Sequence, residues 1–158
     1  MVDLRISAAS PPDTTRTHHS QRSRLLPVTL HLTVLAIAVH SLALGLSLLF
    51  FPHWALSFVG WPYSGPMFWP SQAGLFLIIL GVTYAWAIRL RPLLWLIIGS
   101  KFSAVVFLLL SVPFLEAPRL VALLGCGDGA MGLAVALLFW AVRRAEAAAA
   151  RERSGATR

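Results

Sequence analysis

Four long apolar runs, residues 27–51, 71–90, 92–112 and 120–142, decide what this chain can fold into. Each is about as long as the roughly 20 residues a helix needs to cross the hydrocarbon of a bilayer. None shows the alternation of apolar and polar residues that a membrane β-barrel strand requires, and each is apolar on every face. Hydrophobic residues make up 58% of the 158 positions and charged residues 12%, which excludes a soluble catalytic module of ordinary composition. The expected fold is all-α: an integral membrane four-helix bundle in a single domain over residues 25–144.

The segments outside that domain read as tails. Residues 1–24 are polar, proline-bearing and basic, too poor in apolar side chains to fold alone, and are expected to be a disordered N-terminal tail. The first apolar run is longer than the 7–15 residues of a secretory h-region and no A-x-A site follows it, so it is expected to be an uncleaved span. Residues 145–158 form a basic C-terminal tail, whose stretch AVRRAEAAAARERSG is rich in helix formers and should prolong the last span as far as Gly155.

Charge gives an expected orientation. Arg5, Arg16, Arg22 and Arg24 precede the first run, Arg89 and Arg91 lie between the second and third, and Arg143, Arg144, Arg151, Arg153 and Arg158 follow the fourth, while only Arg119 falls on the other side. The positive-inside bias therefore places both termini and the middle loop in the cytoplasm. The net charge of +7 then calls for anionic lipid head groups as partners, and it carries no implication of nucleic-acid binding.

Within the third run stands Lys101, the single lysine of the chain. A lysine at mid-membrane costs roughly 2.5–3.5 kcal/mol on insertion scales, so it is expected to face protein and find a partner. Asp128, in the stretch LLGCGDGAMG of the fourth run, is the candidate. The two spans run antiparallel, and their positions relative to the span centres separate the backbones by roughly 5–6 Å along the normal, within reach of a lysine side chain. The pair reads either as a buried salt bridge that fixes helix register or as an intramembrane switch for transport or proton relay.

His40 lies near the middle of the first run, with Thr33, Ala36, Ala43 and Ser47 at helical spacing, a small and faintly polar stripe expected to face protein. It reads as a hydrogen-bonded core histidine, as a proton or substrate contact near Lys101 and Asp128, or as an axial ligand to haem or a chlorophyll-type ring. Tyr84 needs a hydrogen-bond partner if buried and could reach the same polar centre. Gly74, Gly81, Gly99, Gly125, Gly129 and Gly132 are expected to be helix-packing positions, because association within lipid relies on small residues that let backbones approach.

The uncharged connection over residues 52–70, PHWALSFVGWPYSGPMFWP, carries Trp54, Trp61 and Trp69 as expected interfacial anchors, with a lid or docking surface as the sharper reading. Cys126 stands alone, so the chain can form no internal disulfide and no C-x-x-C pair, and the spacing of its histidines gives no metal site.

Through Gly74…Gly81-x-x-Tyr84, Gly99-x-Lys101 and Asp128, residues 71–140 resemble small bacterial four-helix inner-membrane proteins, distantly DoxX-like. The resemblance implies a bacterial inner-membrane location. It also implies association with other subunits, in assemblies linked to quinone-coupled redox chemistry or cofactor maturation. Three functions remain open from the sequence: an accessory or assembly subunit of a larger membrane complex, a small oligomeric transporter built on the Lys/Asp pair, and a quinone- or tetrapyrrole-binding redox component. The first is expected on the balance of features, since neither a nucleophile nor paired acid and base groups are present in the pattern a catalyst needs.

Overall fold

The computed structural model describes residues 14–155, with side chains from Leu25 onward except that of Glu152. Five helices follow in order: α1 (Thr14–Phe50), α2 (Pro52–Phe58), α3 (Phe68–Ala87), α4 (Leu93–Phe114) and α5 (Arg119–Gly155). Among the described residues there is no strand. Four stretches are long and apolar enough to cross a membrane, Leu25–Phe50, Phe68–Ala87, Leu93–Phe114 and Arg119–Gly155. Their outer faces carry Leu32, Val39, Phe76, Ile79, Val106, Phe107 and Leu123 in the open, the surface a lipid-facing helix presents.

Several boundaries differ from the sequence expectation, among them the second span, which runs Phe68–Ala87 where 71–90 is expected, so that Trp69 belongs to α3 and not to the connection. Helix α1 starts at Thr14 and passes through Pro27, so residues 14–24, expected within a disordered tail, continue the helix; residues 1–13 lie outside the described residues. Inside the connection over residues 52–70, α2 adds one short helix begun by a proline at its first position, where the missing N–H has no helical partner to lose. Helix α5 has 37 residues, about 55 Å at 1.5 Å per residue, so its last turns project well past a hydrocarbon layer about 30 Å thick.

Helix α1 packs along α3 and α4 along α5, giving two antiparallel pairs; the pairs meet chiefly where α1 faces α5, and α3 touches α4 more sparsely. The α4–α5 reversal is made by Glu116 in the left-handed region at φ 54°, with the Ser111 carbonyl accepting from the N–H groups of Leu115 and Ala117.

The four-helix core fills only one half of the bundle. Its buried members are Leu30, Val34, Ile37 and Ala38 from α1, Tyr84 and Ala87 from α3, Leu94 and Ile97 from α4, and Val135 and Val142 from α5. All lie toward the end that holds the α3–α4 turn. In the other half the close contacts run within each pair. Gly45 meets Gly74 across α1 and α3, where a Cβ on Gly74 would lie 2.7 Å from the Gly45 oxygen. Gly125 and Gly129 bring α5 against Leu108 and Val105 of α4. On the inward faces, exposure rises along the helix from 1% at Ile37 to 39% at Leu44, seven residues on, and from 0% at Val135 to 40% at Leu124, eleven residues back. Those spacings keep each pair of positions on one helix face.

Candidate functional site

At the boundary between the two halves the bundle carries a layer of polar side chains. Lys101, 5% exposed, points inward from α4, and its Nζ donates to Asp128 Oδ1 of α5 at 2.5 Å. The side chains of the two are 6% and 17% exposed, so the carboxylate is the more accessible partner. Gly132, one turn from Asp128 on α5, makes the approach possible: a Cβ there would stand 3.0 Å from Lys101 Cβ. The lysine stem lies where an ordinary residue would hold the helices apart.

Tyr84 of α3 reaches the same layer. Its hydroxyl donates to Ser100 Oγ at 2.5 Å, and Ser100 in turn donates to the Ile97 carbonyl at 3.0 Å. Tyr84 is 2% exposed, so this bond satisfies a hydroxyl that would otherwise be stranded in apolar surroundings. Ser100 was not singled out in the sequence, although it directly precedes Lys101.

His40 sits at the rim of the layer, partly buried and close enough to Lys101 and Asp128 to feel both charges. Its expected stripe is corrected. Ala36 and Ala43 are exposed, and the buried face of α1 runs instead through Val34, Ile37, Ala38, Ser41 and Gly45. The Gly45–Gly74 approach sets this rotation, since Gly45 lies about 140° around the helix from His40 at 100° per residue. Gly45 was also missed. The sequence did hold a signal for it in the small-x-x-x-small spacing Ser41 to Gly45.

Ser41 is 1% exposed, and its Oγ has no hydrogen-bond partner. Other spanning hydroxyls turn back to their own helix, as Thr33 does to Thr29, Ser47 to Ala43, Thr83 to Ile79 and Ser111 to Phe107.

Of the expected packing glycines, Gly74, Gly81, Gly125, Gly129 and Gly132 lie against neighbouring helices. Gly99 does not, because nothing lies within 4 Å of where its Cβ would be. It precedes Lys101 by two residues, about 200° of helix rotation, so when Lys101 points inward Gly99 must point out.

The aromatic side chains gather at both ends. Trp54 and Trp69 are 61% and 63% exposed at the end that holds the α1–α3 connection, and Trp61 is partly buried there. Trp86, Trp95 and Trp140 are exposed toward the other end, where the Arg144 guanidinium lies 3.4 Å above the Trp140 ring. At that end Arg91, in the α3–α4 turn, grips Glu146 of α5 through two bonds of 2.9 and 2.7 Å. This two-pronged hydrogen bond holds the Glu146 carboxyl below the usual carboxylate range. Among the described residues no group of three or more His, Cys, Asp or Glu side chains could hold a metal, and Cys126 is exposed and free. Comparison of the chain with protein families, with characterised proteins and with solved structures finds no match to any of the three.

Proposed function

We propose that this chain is an accessory or assembly subunit of a larger membrane complex, without chemistry of its own, seated in a bacterial inner membrane with both termini in the cytoplasm. The half-filled core carries the reading. Four helices share a hydrophobic interior toward one end only, and beyond the Lys101–Asp128 layer the inward positions Leu44 and Leu124 are 39% and 40% exposed. A bundle whose shared four-helix core stops halfway, with packing beyond it confined to each pair, has surface to give to another transmembrane segment. Association in lipid proceeds by such surface contacts, since lipid tails are as apolar as leucine and supply no hydrophobic drive. The arginines at the ends of the apolar runs favour the cytoplasmic placement of both termini.

A second reading, a small oligomeric transporter, draws on one observation. The ion pair is not fully sealed, with the Asp128 side chain 17% exposed against 6% for Lys101, and an intramembrane switch needs such a partly accessible group. Native mass spectrometry of gently solubilised membranes separates the two. A stable complex with a different transmembrane protein is the expected result. A free monomer or homo-oligomer that moves a substrate after reconstitution alone would refute the subunit reading and favour the transporter.

A further inference from the structure

The connection between α1 and α3 is built as more than an anchor. Its turns border an open cleft of about 400 Å³, lined by Trp54, Trp61, Tyr63 and Met67, with His53 and Ser57 on the α2 side. The volume lies within the range of small-molecule sites, roughly 300–1,000 Å³. Hydrogen bonds hold the backbone of the turn and the Tyr63 ring. Gly60 takes a left-handed conformation at φ 74° that turns the chain back, after which Trp61 N–H bonds the Leu56 carbonyl at 2.9 Å and Tyr63 N–H bonds the Trp61 carbonyl at 2.8 Å. The Tyr63 hydroxyl donates to the Pro66 carbonyl at 2.8 Å, and Gly65 admits the ring, since a Cβ there would stand 2.8 Å from the phenolic oxygen.

These bonds also define what the cleft can offer a ligand. The carbonyls of Leu56, Trp61 and Pro66 already accept, and the Trp54 carbonyl accepts from Ser57 Oγ at 2.8 Å. No Asp, Glu, Lys or Arg occurs anywhere from Leu25 to Ile88. A primary ammonium would find only the His53 imidazole, Ser57 Oγ and carbonyls that already accept one bond to replace its water, and an anion would meet no Lys or Arg. Beside His53 and Ser57, the lining is apolar or aromatic: Trp54, Trp61 and Tyr63 offer π faces and Met67 a thioether. Trp54 has Phe58 stacked on one side at 5.8 Å between centroids, which leaves its other face free.

We propose that this cleft binds a quaternary ammonium group. Such a cation has no N–H to satisfy, spreads its charge over methyl groups, and is held by the negative faces of Trp and Tyr rings. Both a free choline-type solute and the head group of a choline-bearing amphiphile present that chemistry.

The test uses the full chain in maltoside micelles, which contain no ammonium. Saturation-transfer NMR would compare choline with two near-isosteres: 3,3-dimethylbutanol, carrying carbon in place of nitrogen, and ethanolamine, carrying a primary ammonium. Choline is expected to bind about fivefold or more tightly than either, the ratio that a cation–π gain of roughly 1 kcal/mol gives. Trp61→Leu should abolish the difference, Trp61→Phe should keep part of it, and Trp86→Leu at the other end of the bundle should leave it unchanged. Helicity and elution volume would verify that each variant is folded. Dodecylphosphocholine doped into the micelles assigns the source: binding well above that of choline points to a lipid head group, and equal binding to a soluble ligand. Equal binding of dimethylbutanol and choline, binding insensitive to Trp61→Leu and Trp61→Phe, or no choline binding at all would overturn the proposal.

Discussion

One methyl group placed at the α1–α3 crossing tests the packing that separates this bundle into two pairs. In Gly74→Ala the new Cβ would stand 2.7 Å from the Gly45 oxygen, 2.7 Å from the Leu49 nitrogen and 3.0 Å from the Leu48 carbonyl carbon. All three are backbone atoms, so no rotamer change relieves the contact. Carbon sits comfortably at about 3.5 Å from a non-bonded heavy atom, so the helices must part by about 0.8 Å along their closest line. A gap of that size forfeits a quarter to a half of the dispersion energy of each contact it opens, and overpacking of this kind typically costs about 1–3 kcal/mol. Alanine offsets part of the loss, because it is a better helix former than glycine by up to about 1 kcal/mol.

Gly99→Ala removes that ambiguity. It carries the same propensity gain in an open position with nothing within 4 Å, so the difference between the two variants isolates the crossing. Equilibrium unfolding followed by circular dichroism in mixed micelles should place Gly74→Ala about 1–3 kcal/mol below Gly99→Ala. Gly81→Ala should fall between, since its nearest neighbours at 2.7 and 2.9 Å are the movable Cγ and Cδ2 of Leu42. Gly45→Ala combined with Gly74→Ala should cost less than the sum, because the first substitution has already parted the helices. Equal stability of Gly74→Ala and Gly99→Ala would refute the close crossing.

Other perturbations address the polar layer and the turn. Lys101→Met or Asp128→Leu alone leaves an uncompensated buried charge and should destabilise by about 3–5 kcal/mol, whereas the double variant should recover much of it; additive losses in the same unfolding assay would mean that the two side chains do not act as a pair. Tyr84→Phe removes one hydrogen bond without stranding Ser100, which still donates to Ile97, so the loss should be only about 0.5–1.5 kcal/mol, while hydrogen exchange between α3 and α4 should rise; unchanged exchange there would count against the contact. Because Arg91 holds the Glu146 carboxyl low, the contribution of that pair is present above the ordinary carboxylate range and is lost as pH falls through the lowered folded value. Hydrogen exchange over the α5 extension should therefore rise on acidification, modestly for a pair whose side chains are 62% and 50% exposed, and Glu146→Gln should abolish the pH dependence.

Much of this arrangement was legible because lipid imposes strong rules on sequence. The four spans follow from run length, and the Lys101–Asp128 contact follows from the expense of two isolated charges at matching depth. The rotation of α1 was not legible in the same way. His40 marks a polar face of that helix, but the contact between Gly45 and Gly74 turns the Val34–Ile37–Ser41 face inward instead, and backbone approach leaves only a faint trace in a chain with eleven glycines. Gly99 shows the converse. A glycine two residues before a mid-span lysine reads as packing surface in the sequence, yet its phase on the helix, fixed by Lys101, sends it outward. The Arg91–Glu146 bridge was beyond reach because it depends on how far α5 runs past the hydrocarbon and on where the α3–α4 turn meets it.

The polar layer lies where the two helix pairs part, and the two features have a common cause. Toward the α3–α4 turn, Val34, Ile37, Ile97 and Val135 interlock so tightly that none is more than 1% exposed, and shape alone holds four helices together. Toward the α1–α3 connection, Gly45 and Gly74 bring α1 onto α3 and Gly125 and Gly129 bring α5 onto α4, so the close contacts run within each pair. Between these regimes apolar side chains no longer meet across the centre, and hydrogen bonds take over the joining. Lys101 to Asp128 closes α4 on α5, and Tyr84 to Ser100 ties the first pair to the second. The ion pair therefore strengthens a hairpin, while the neutral Tyr84–Ser100 bond spans the joint between hairpins.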